Sequence, residues 1–342
     1  MLQGRLRALF PLVLALLTVL PAFGTTITVT NTSDTSPPTP GSLRAAIAAA
    51  SPGDTIDFSL TYPATITLSS TLNIGTSLTI SGPGASNLAI SGNNTVGVIF
   101  VSQGVTVDIS GVTIENGHSS YGGGVYDYGG SLTLTNTTVS GNSANYFGGG
   151  IYDYGGTLTL TNTTVSGNSA GQYGGGILIL FAEPRIIDST VSGNSANYYG
   201  GGIYNSYSDL SLTNITVAGN STKQSSGGGI YNYGAKLTAT NTTVAGNSAA
   251  NNAGGIDNFY GTLVLKNTVL AKNLGGNCWS TGGAVTSDGY NLSDDTSCAG
   301  FLSSNDKNNV SAGLDTKGLQ DNGGPTKTIA LLPTSPAVDA VP

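Results

Sequence analysis

Leucine and threonine alternate through Leu158, Thr159, Leu160 and Thr161, so an extended chain here has one apolar face and one hydroxylated face. The phrase sits in a longer one, Gly148–Ala170, which repeats Gly122–Ala144 with two substitutions. Glycine runs begin at Gly122, Gly148, Gly174, Gly200, Gly227 and Gly254, in steps of 26 or 27 residues. An asparagine recurs with them at Asn142, Asn168, Asn194, Asn220, Asn247 and Asn273, with a forerunner at Asn116. Two landmarks that drift together define one structural unit per repeat. Triple glycines and β-branched residues disfavour helix, and each unit predicts three short strands, "GIYDY", "TLTLTN" and "TTVSGNS". Such a unit buries its apolar face only by stacking on its neighbours.

The expected fold is therefore all-β: a right-handed parallel β-helix, a solenoid of about 26 residues per coil and nine to eleven coils, with an N-terminal capping helix. Its interior column reads Leu134, Leu160, Ile186, Leu212, Ala239 and Leu265. Asn136, Asn162, Asp188, Asn214, Asn241 and Asn267 hold one turn position and the recurrent asparagines another; both read as amide ladders between coils. The N-x-T matches at Asn136, Asn162, Asn214 and Asn241 are by-products of the repeat.

The ends read differently. Residues 1–24 carry Arg5 and Arg7, an apolar run from Leu9 to Leu20 and a small-x-small site, the pattern of a secretory signal peptide. Residues 25–58 hold a strand and a helix in which Ser42 caps Leu43, Ala46, Ile47 and Ala50, ended by Pro52-Gly53. That helix, at 42–50, is expected to cover the open edge of the first coil. The β-helix is assigned to 59–274. Residues 275–342 form a C-terminal cap in which Cys278 and Cys298, the only cysteines, pair as an exported protein allows. Closing such a loop contributes about 3 kcal/mol in the chain-entropy description. The run from Leu319 is expected to pack back along the helix.

Composition narrows the function. Charged residues are 8% of the chain, and loss of the leader takes the formal charge from −7 to −9. An acidic, charge-poor surface excludes phosphate-backbone binding and gives no patch for acidic lipids. No membrane insertion follows leader cleavage, no cofactor is called for, and the protein is expected to be a monomer.

The terminal segments resemble a family. "GSLRAAIAAASPGDTIDF" is similar to the N-terminal cap of secreted bacterial β-helix proteins of the CSLREA-domain type, with Gly41 at that motif's Cys and Ala45 at its Glu. "GYNLSDDTSC" and "LQDNGGPT…LLPTSPAVDA" resemble the choice-of-anchor Q module, and the middle repeats resemble polymorphic outer-membrane-protein-like repeats. The resemblance implies the fold and a secreted or cell-surface place in a bacterium. It carries no catalytic signature.

Two kinds of candidate site follow. One rung, "GGGILILFAEPRIIDSTVSG", breaks the pattern and gathers Glu183, Arg185 and Asp188, the residue types a polysaccharide lyase or glycoside hydrolase uses. The other is aromatic: Tyr121, Phe147, Tyr173 and Tyr199 stand before glycine runs, and Tyr126, Tyr152, Tyr204 and Tyr231 form a second column with Leu178 as its gap. Ring files beside hydroxyls and amides suit a polysaccharide or cell-surface glycan. The sequence thus reads as an exported, non-catalytic surface or matrix protein that adheres or contacts glycan through a polar, tyrosine-striped face. The alternative is a β-helix carbohydrate-active enzyme of pectate lyase or polygalacturonase type. A lesser alternative, ice binding, rests on Thr138, Thr164, Thr190, Thr216 and Thr243, which fall in one outward file.

Overall fold

A computed structural model describes residues 24–300, 303–338 and 340. The signal peptide expected over 1–24 lies outside the described residues except for Gly24.

The chain winds into a parallel β-solenoid. In the rung that begins at Ile151, Ile151–Tyr154 joins an aromatic-rich sheet, Thr157–Thr161 a leucine-threonine sheet and Thr164–Ser166 a valine sheet, before Ser169–Ala170 adds a short fourth strand. These sheets hold nine, eleven, eleven and five strands respectively. Pairing between rungs is parallel and in register, as in Leu158 against Leu132 and Val165 against Val139. The expected interior column of Leu134, Leu160, Ile186, Leu212, Ala239 and Leu265 is completely buried. Its alternation with threonine places every second residue of the strand inside.

The expectation of three strands per rung needs one correction. "TTVSGNS" is two strands, because Gly141, Gly167, Gly193, Gly219 and Gly246 take φ of 63–65° and turn a corner inside it. The other corners have their own residues. Asn136, Asn162, Asp188, Asn214, Asn241 and Asn267 adopt φ of 48–56° between the leucine-threonine and valine sheets, a left-handed geometry asparagine tolerates well. Gly148 of the glycine run has φ 64°, and a methyl on Gly150 would lie 2.7 Å from the Gly176 carbonyl and 2.9 Å from the Asn168 amide. The triple glycine is the space in which the asparagine ladder runs.

That ladder is complete. Asn168 Nδ2 donates to Asn194 Oδ1 on the next rung (3.0 Å) and to the Val139 carbonyl on the one before (2.9 Å). Asn142, Asn194, Asn220, Asn247 and Asn273 repeat this pair of bonds. Buried amides satisfied in this way cost nothing and fix the register. Asn116 is not its forerunner: it aligns one position early, and Gly117 N donates to Asn142 Oδ1 to start the ladder.

The ends are closed in two ways. Helix α1, Leu43–Ala49, is capped by the Ser42 hydroxyl, which accepts from Ala45 N. Leu43 and Ala46 enter the core and Ile47 and Ala50 pack at its margin, over the first strands. Arg44 donates to Asp34 (2.6 and 2.8 Å) and to the Ser70 and Thr71 carbonyls, which ties this end to the first rung. At the other end Cys278 and Cys298 are bonded, with Cα atoms 4.8 Å apart, and both sulfurs' residues belong to the core. The last segment forms an antiparallel hairpin, Leu314–Gln320 with Thr328–Leu331. It lies along the side of the valine sheet, where the Thr190 hydroxyl donates to the Lys327 carbonyl (2.6 Å) and the Thr326 hydroxyl to that of Asp188 (3.4 Å). Where the hairpin region packs, the outward serine of earlier rungs becomes Ala245 and Ala271, in a small cluster with Leu314 and Ile329.

Candidate functional site

The structure sorts the aromatic residues into two groups. The eight expected from sequence form a seam where the short sheet turns into the aromatic sheet. Tyr126 stacks on Tyr152 (4.9 Å between centroids, 11°), Phe147 on Tyr173 (5.3 Å, 10°), Tyr173 on Tyr204 (5.2 Å, 14°) and Tyr204 on Tyr231 (5.4 Å, 15°). The two columns lean on each other, as in Tyr199 against Tyr231 at 4.4 Å. Tyr152 and Tyr231 are each only 6% exposed, and Leu178 fills the gap between Tyr152 and Tyr204. Burial raises the hydroxyl pKa of Tyr126, Tyr152, Tyr204 and Tyr231, in each case as the largest cause. Tyr121, at the end of the seam, remains exposed.

The second group was not expected. It runs along the next corner, where the aromatic sheet turns into the leucine-threonine sheet. Tyr128 stacks on Tyr154 (5.7 Å, 4°), Tyr154 meets Phe181 edge-on (6.2 Å), Phe181 stacks on Tyr207 (5.6 Å, 13°), and Tyr207, Tyr233, Phe259 and Tyr260 continue the file. It spans six rungs, roughly 24 Å at the strand spacing. Phe181, Tyr207 and Tyr260 are 56%, 52% and 63% exposed.

The file is built by an exchange of one position. Tyr128 and Tyr154 end their strands and are followed by Gly129 and Gly155, which turn the corner at φ 70° and 69°. In the next two rungs the strand ends in Leu180 or Ser206, and the ring moves to the corner itself. Phe181, Tyr207 and Tyr260 therefore hold φ of 58°, 47° and 53°. A bulky residue in that region costs roughly 1–2 kcal/mol against glycine. The sequence columns pass over these rings because they follow Tyr126 and its counterparts, and Phe181 and Tyr207 stand three residues beyond that column.

Beside Phe181 and Tyr207 lies an open groove of about 560 Å³, also lined by Thr157, Glu183 and Asp209. The chain between the two rungs is fixed by Ala182 O, which accepts from Asp209 N, and by Ser208 Oγ, which accepts from Ala182 N. Glu183 and Arg185 are exposed on this side. Asp188 is not brought to them: it stands at the far end of strand Arg185–Ile187, at φ 49°, and accepts from Asn214 in the exposed amide ladder. Asp209, which sequence reasoning missed, is the carboxylate that joins Glu183 at the groove, and it pairs in register with Lys236 on the other side.

The threonine file does not form an open plane. The C-terminal hairpin covers Thr190, and Thr216 on the next rung is buried as well, so the surface required for ice binding is interrupted at its centre. Among the described residues no group of three or more His, Cys, Asp or Glu is placed to hold a metal, and no helix is long and apolar enough to cross a membrane.

No family model matches the chain, and no curated protein sequence matches it. Among solved structures, pectate lyase Pel9A aligns with a TM-score of 0.52 at 15% identity, over 77% of this chain and 80% of that one. ORF18 of Geobacillus virus E2 aligns at 0.45 and 13% identity, over 77% of this chain and 61% of that one. A mannuronic acid specific polysaccharide family 6 lyase from human gut microbiota aligns at 0.34 and 11%, over 78% and 80%. The likeness to Pel9A shows that this chain has the parallel β-helix fold of that protein.

Proposed function

We propose that this protein is an exported surface or matrix protein that binds an extended polysaccharide along the corner from Tyr128 to Tyr260 without cleaving it. The observation that carries the proposal is the strain at Phe181, Tyr207 and Tyr260. The same corner is turned by glycine in four other rungs, at Gly129, Gly155, Gly234 and Gly282, yet here it holds exposed rings in a left-handed backbone. Strain of this kind concentrates at binding sites, and nothing in the core requires these rings. Ring faces stack on apolar sugar faces, while Thr157, Glu183 and Asp209 at the groove supply hydrogen-bonding groups. A straight file roughly 24 Å long suits a polymer better than a single sugar.

The second reading, a β-helix carbohydrate-active enzyme, is supported by the fold shared with Pel9A and by the meeting of Glu183 and Asp209. Against it, both carboxylates and Arg185 stand in solvent in an open groove, and no further catalytic group converges on them. The two readings separate on incubation with a panel of plant and bacterial polysaccharides, with and without Ca²⁺. Retention on an insoluble polymer without new reducing or unsaturated ends is the expected result. Product formation abolished by Glu183→Gln would establish the enzyme instead.

A further inference from the structure

The inward column of the aromatic sheet reads Asp127, Asp153, Ile179, Asn205, Asn232 and Asn258, paired in register. In its second half each amide nitrogen donates to the next rung, and only Asn205 Oδ1, next to Ile179, lacks a partner. Asn205 Nδ2 donates to Asn232 Oδ1 (2.8 Å), and Asn232 Nδ2 donates to Asn258 Oδ1 (2.8 Å) and to the Ala235 carbonyl (2.8 Å). In its first half the column holds two carboxyls with no solvent exposure. Asp127 Oδ1 accepts from Gly130 N (2.9 Å) and Asp153 Oδ1 from Gly156 N (3.2 Å). Asp127 Oδ2 and Asp153 Oδ2 are buried with no partner.

The surroundings of Asp127 Oδ2 show what is missing. A methyl built on Gly156 would lie 2.6 Å from it, 2.7 Å from Asp153 Oδ1 and 2.8 Å from the Gly130 carbonyl. Three acceptors thus converge on one side of Gly156. The equivalent point at Gly261 is surrounded by Asn232 Nδ2, the Ala235 carbonyl and Asn258 Oδ1. Asp127 Oδ2 occupies the place of an amide nitrogen that donates twice. A carboxylate there has nothing to accept, whereas a carboxylic acid can donate to the acceptors already present.

We infer that Asp127 and Asp153 form a buried proton-binding site, in which protonated Asp127 completes the hydrogen bonds made elsewhere in the column by asparagine, and that loss of the protons the pair holds loosens the two rungs. Burial, the dominant cause for both groups, pushes Asp127 up to about 6 and Asp153, with Asp127 beside it, up to about 7. The column neighbours Val101 and Ile179 and the next-strand residues Leu132 and Leu158 carry no charge. Tyr152 feels the Asp153 charge, and the charged residues of flanking strands, Asp108 and Arg185, are exposed on the outside. No cation therefore faces the pair to hold it ionised. The unfolded chain gives up both protons near pH 3.9. Between that pH and 6–7 the folded state holds protons the unfolded state has lost, so stability falls as pH rises through this window.

This inference stands apart from the polysaccharide reading, and its test needs no ligand. Thermal melts of the full mature protein between pH 4.5 and 8.5 are compared with those of Asp127→Asn with Asp153→Asn. The wild type is expected to melt lower at pH 8 than at pH 5. The double variant, with amide hydrogens always present, should melt higher than wild type at pH 8 by more than about 5 °C, as relief of a few kcal/mol implies for a chain of this size. A smaller slope remains in the variant from Asp257, which burial also raises to about 6. Side-chain carbon-13 resonances of labelled wild type give a second readout that does not depend on the variant folding, with two aspartates titrating at midpoints near 6 and 7. Equal pH slopes in the two proteins, or midpoints near 4, would overturn the inference. So would a rise in the wild-type melt at pH 8 on adding Ca²⁺ or Na⁺ that the variant lacks, because a cation would then fill the place given to the proton.

Discussion

The seam at Tyr152 and the file at Phe181 are made of the same residue types, in the same repeats, one corner apart. In the seam the rings, Tyr121 apart, are buried or half-buried, several pairs stack close to parallel, and the backbones are ordinary. In the file they stand in solvent, and three of them force a left-handed turn that neighbouring rungs make with glycine. Stacking in a column is automatic in a solenoid and says nothing of purpose. Exposure combined with backbone strain is not automatic, and it is what separates a supporting ring from one available to a ligand.

The largest expected effect breaks the seam. Tyr204→Ala with Tyr231→Ala removes a stacked, largely covered pair and should destabilise by on the order of 5 kcal/mol, with polysaccharide binding per folded molecule unchanged. A melt that does not move would show that the seam supports nothing. The next effect falls on the file. Phe181→Gly with Tyr207→Gly gives up one stacked pair, about 0.5–1.5 kcal/mol, but releases two strained corners of about 1 kcal/mol or more each. Stability should change by no more than about 1 kcal/mol or rise, while affinity for the retained polysaccharide falls about tenfold or more, given roughly 1–3 kcal/mol per stacked ring by analogy with ring–base stacking. An unchanged isotherm would end the platform reading.

The smallest effect uses two glycines as a matched pair. A methyl on Gly155 meets nothing within 4 Å, whereas one on Gly234 would lie 2.9 Å from Tyr207 Cε1. Both have positive φ, so each alanine variant should lose about 1 kcal/mol. Only Gly234→Ala should also weaken binding, by a few-fold, through displacement of the Tyr207 ring. Equal isotherms for the two variants would mean that Tyr207 takes no part.

The architecture was legible because it is periodic. A period near 26, the alternation at Leu158–Thr161 and the recurrent asparagines were enough to place the interior column and both amide ladders. The helix at Leu43–Ala49 was equally legible, from its cap and its apolar spacing. The fourth strand was not, because Gly141 reads as part of a strand until its φ is known. The exposed file was missed because the columns read from sequence followed only the first tyrosine of each strand, whereas the file starts at the last one, Tyr128 and Tyr154, and moves one residue along to Phe181 and Tyr207. The run from Leu319 was expected to pack back along the helix, and it does, but which residues it meets was beyond local pattern: Thr190 and Lys327 meet across 137 residues. Asp127 and Asp153 were visible as counterparts of Asn205, Asn232 and Asn258, but which oxygen lacks a partner depends on three atoms from different rungs.

The long amide ladder has a start and a stop that differ from its middle. It opens with Gly117 N on Asn142 and closes where Asn277 Nδ2 donates to Ser293 Oγ (2.9 Å) and Asp294 Oδ1 (2.8 Å). Every interior member gives and receives alike, so a rung copied or deleted between the two leaves no donor stranded. Only the starter and the terminator are unique. The length of the molecule is then a free variable in evolution, adjustable in quanta of about 4.8 Å, and near-identical neighbours such as Gly122–Ala144 and Gly148–Ala170 are what recent duplication under that freedom looks like. A protein built this way can be lengthened to match the spacing it has to reach while its two closures stay the same.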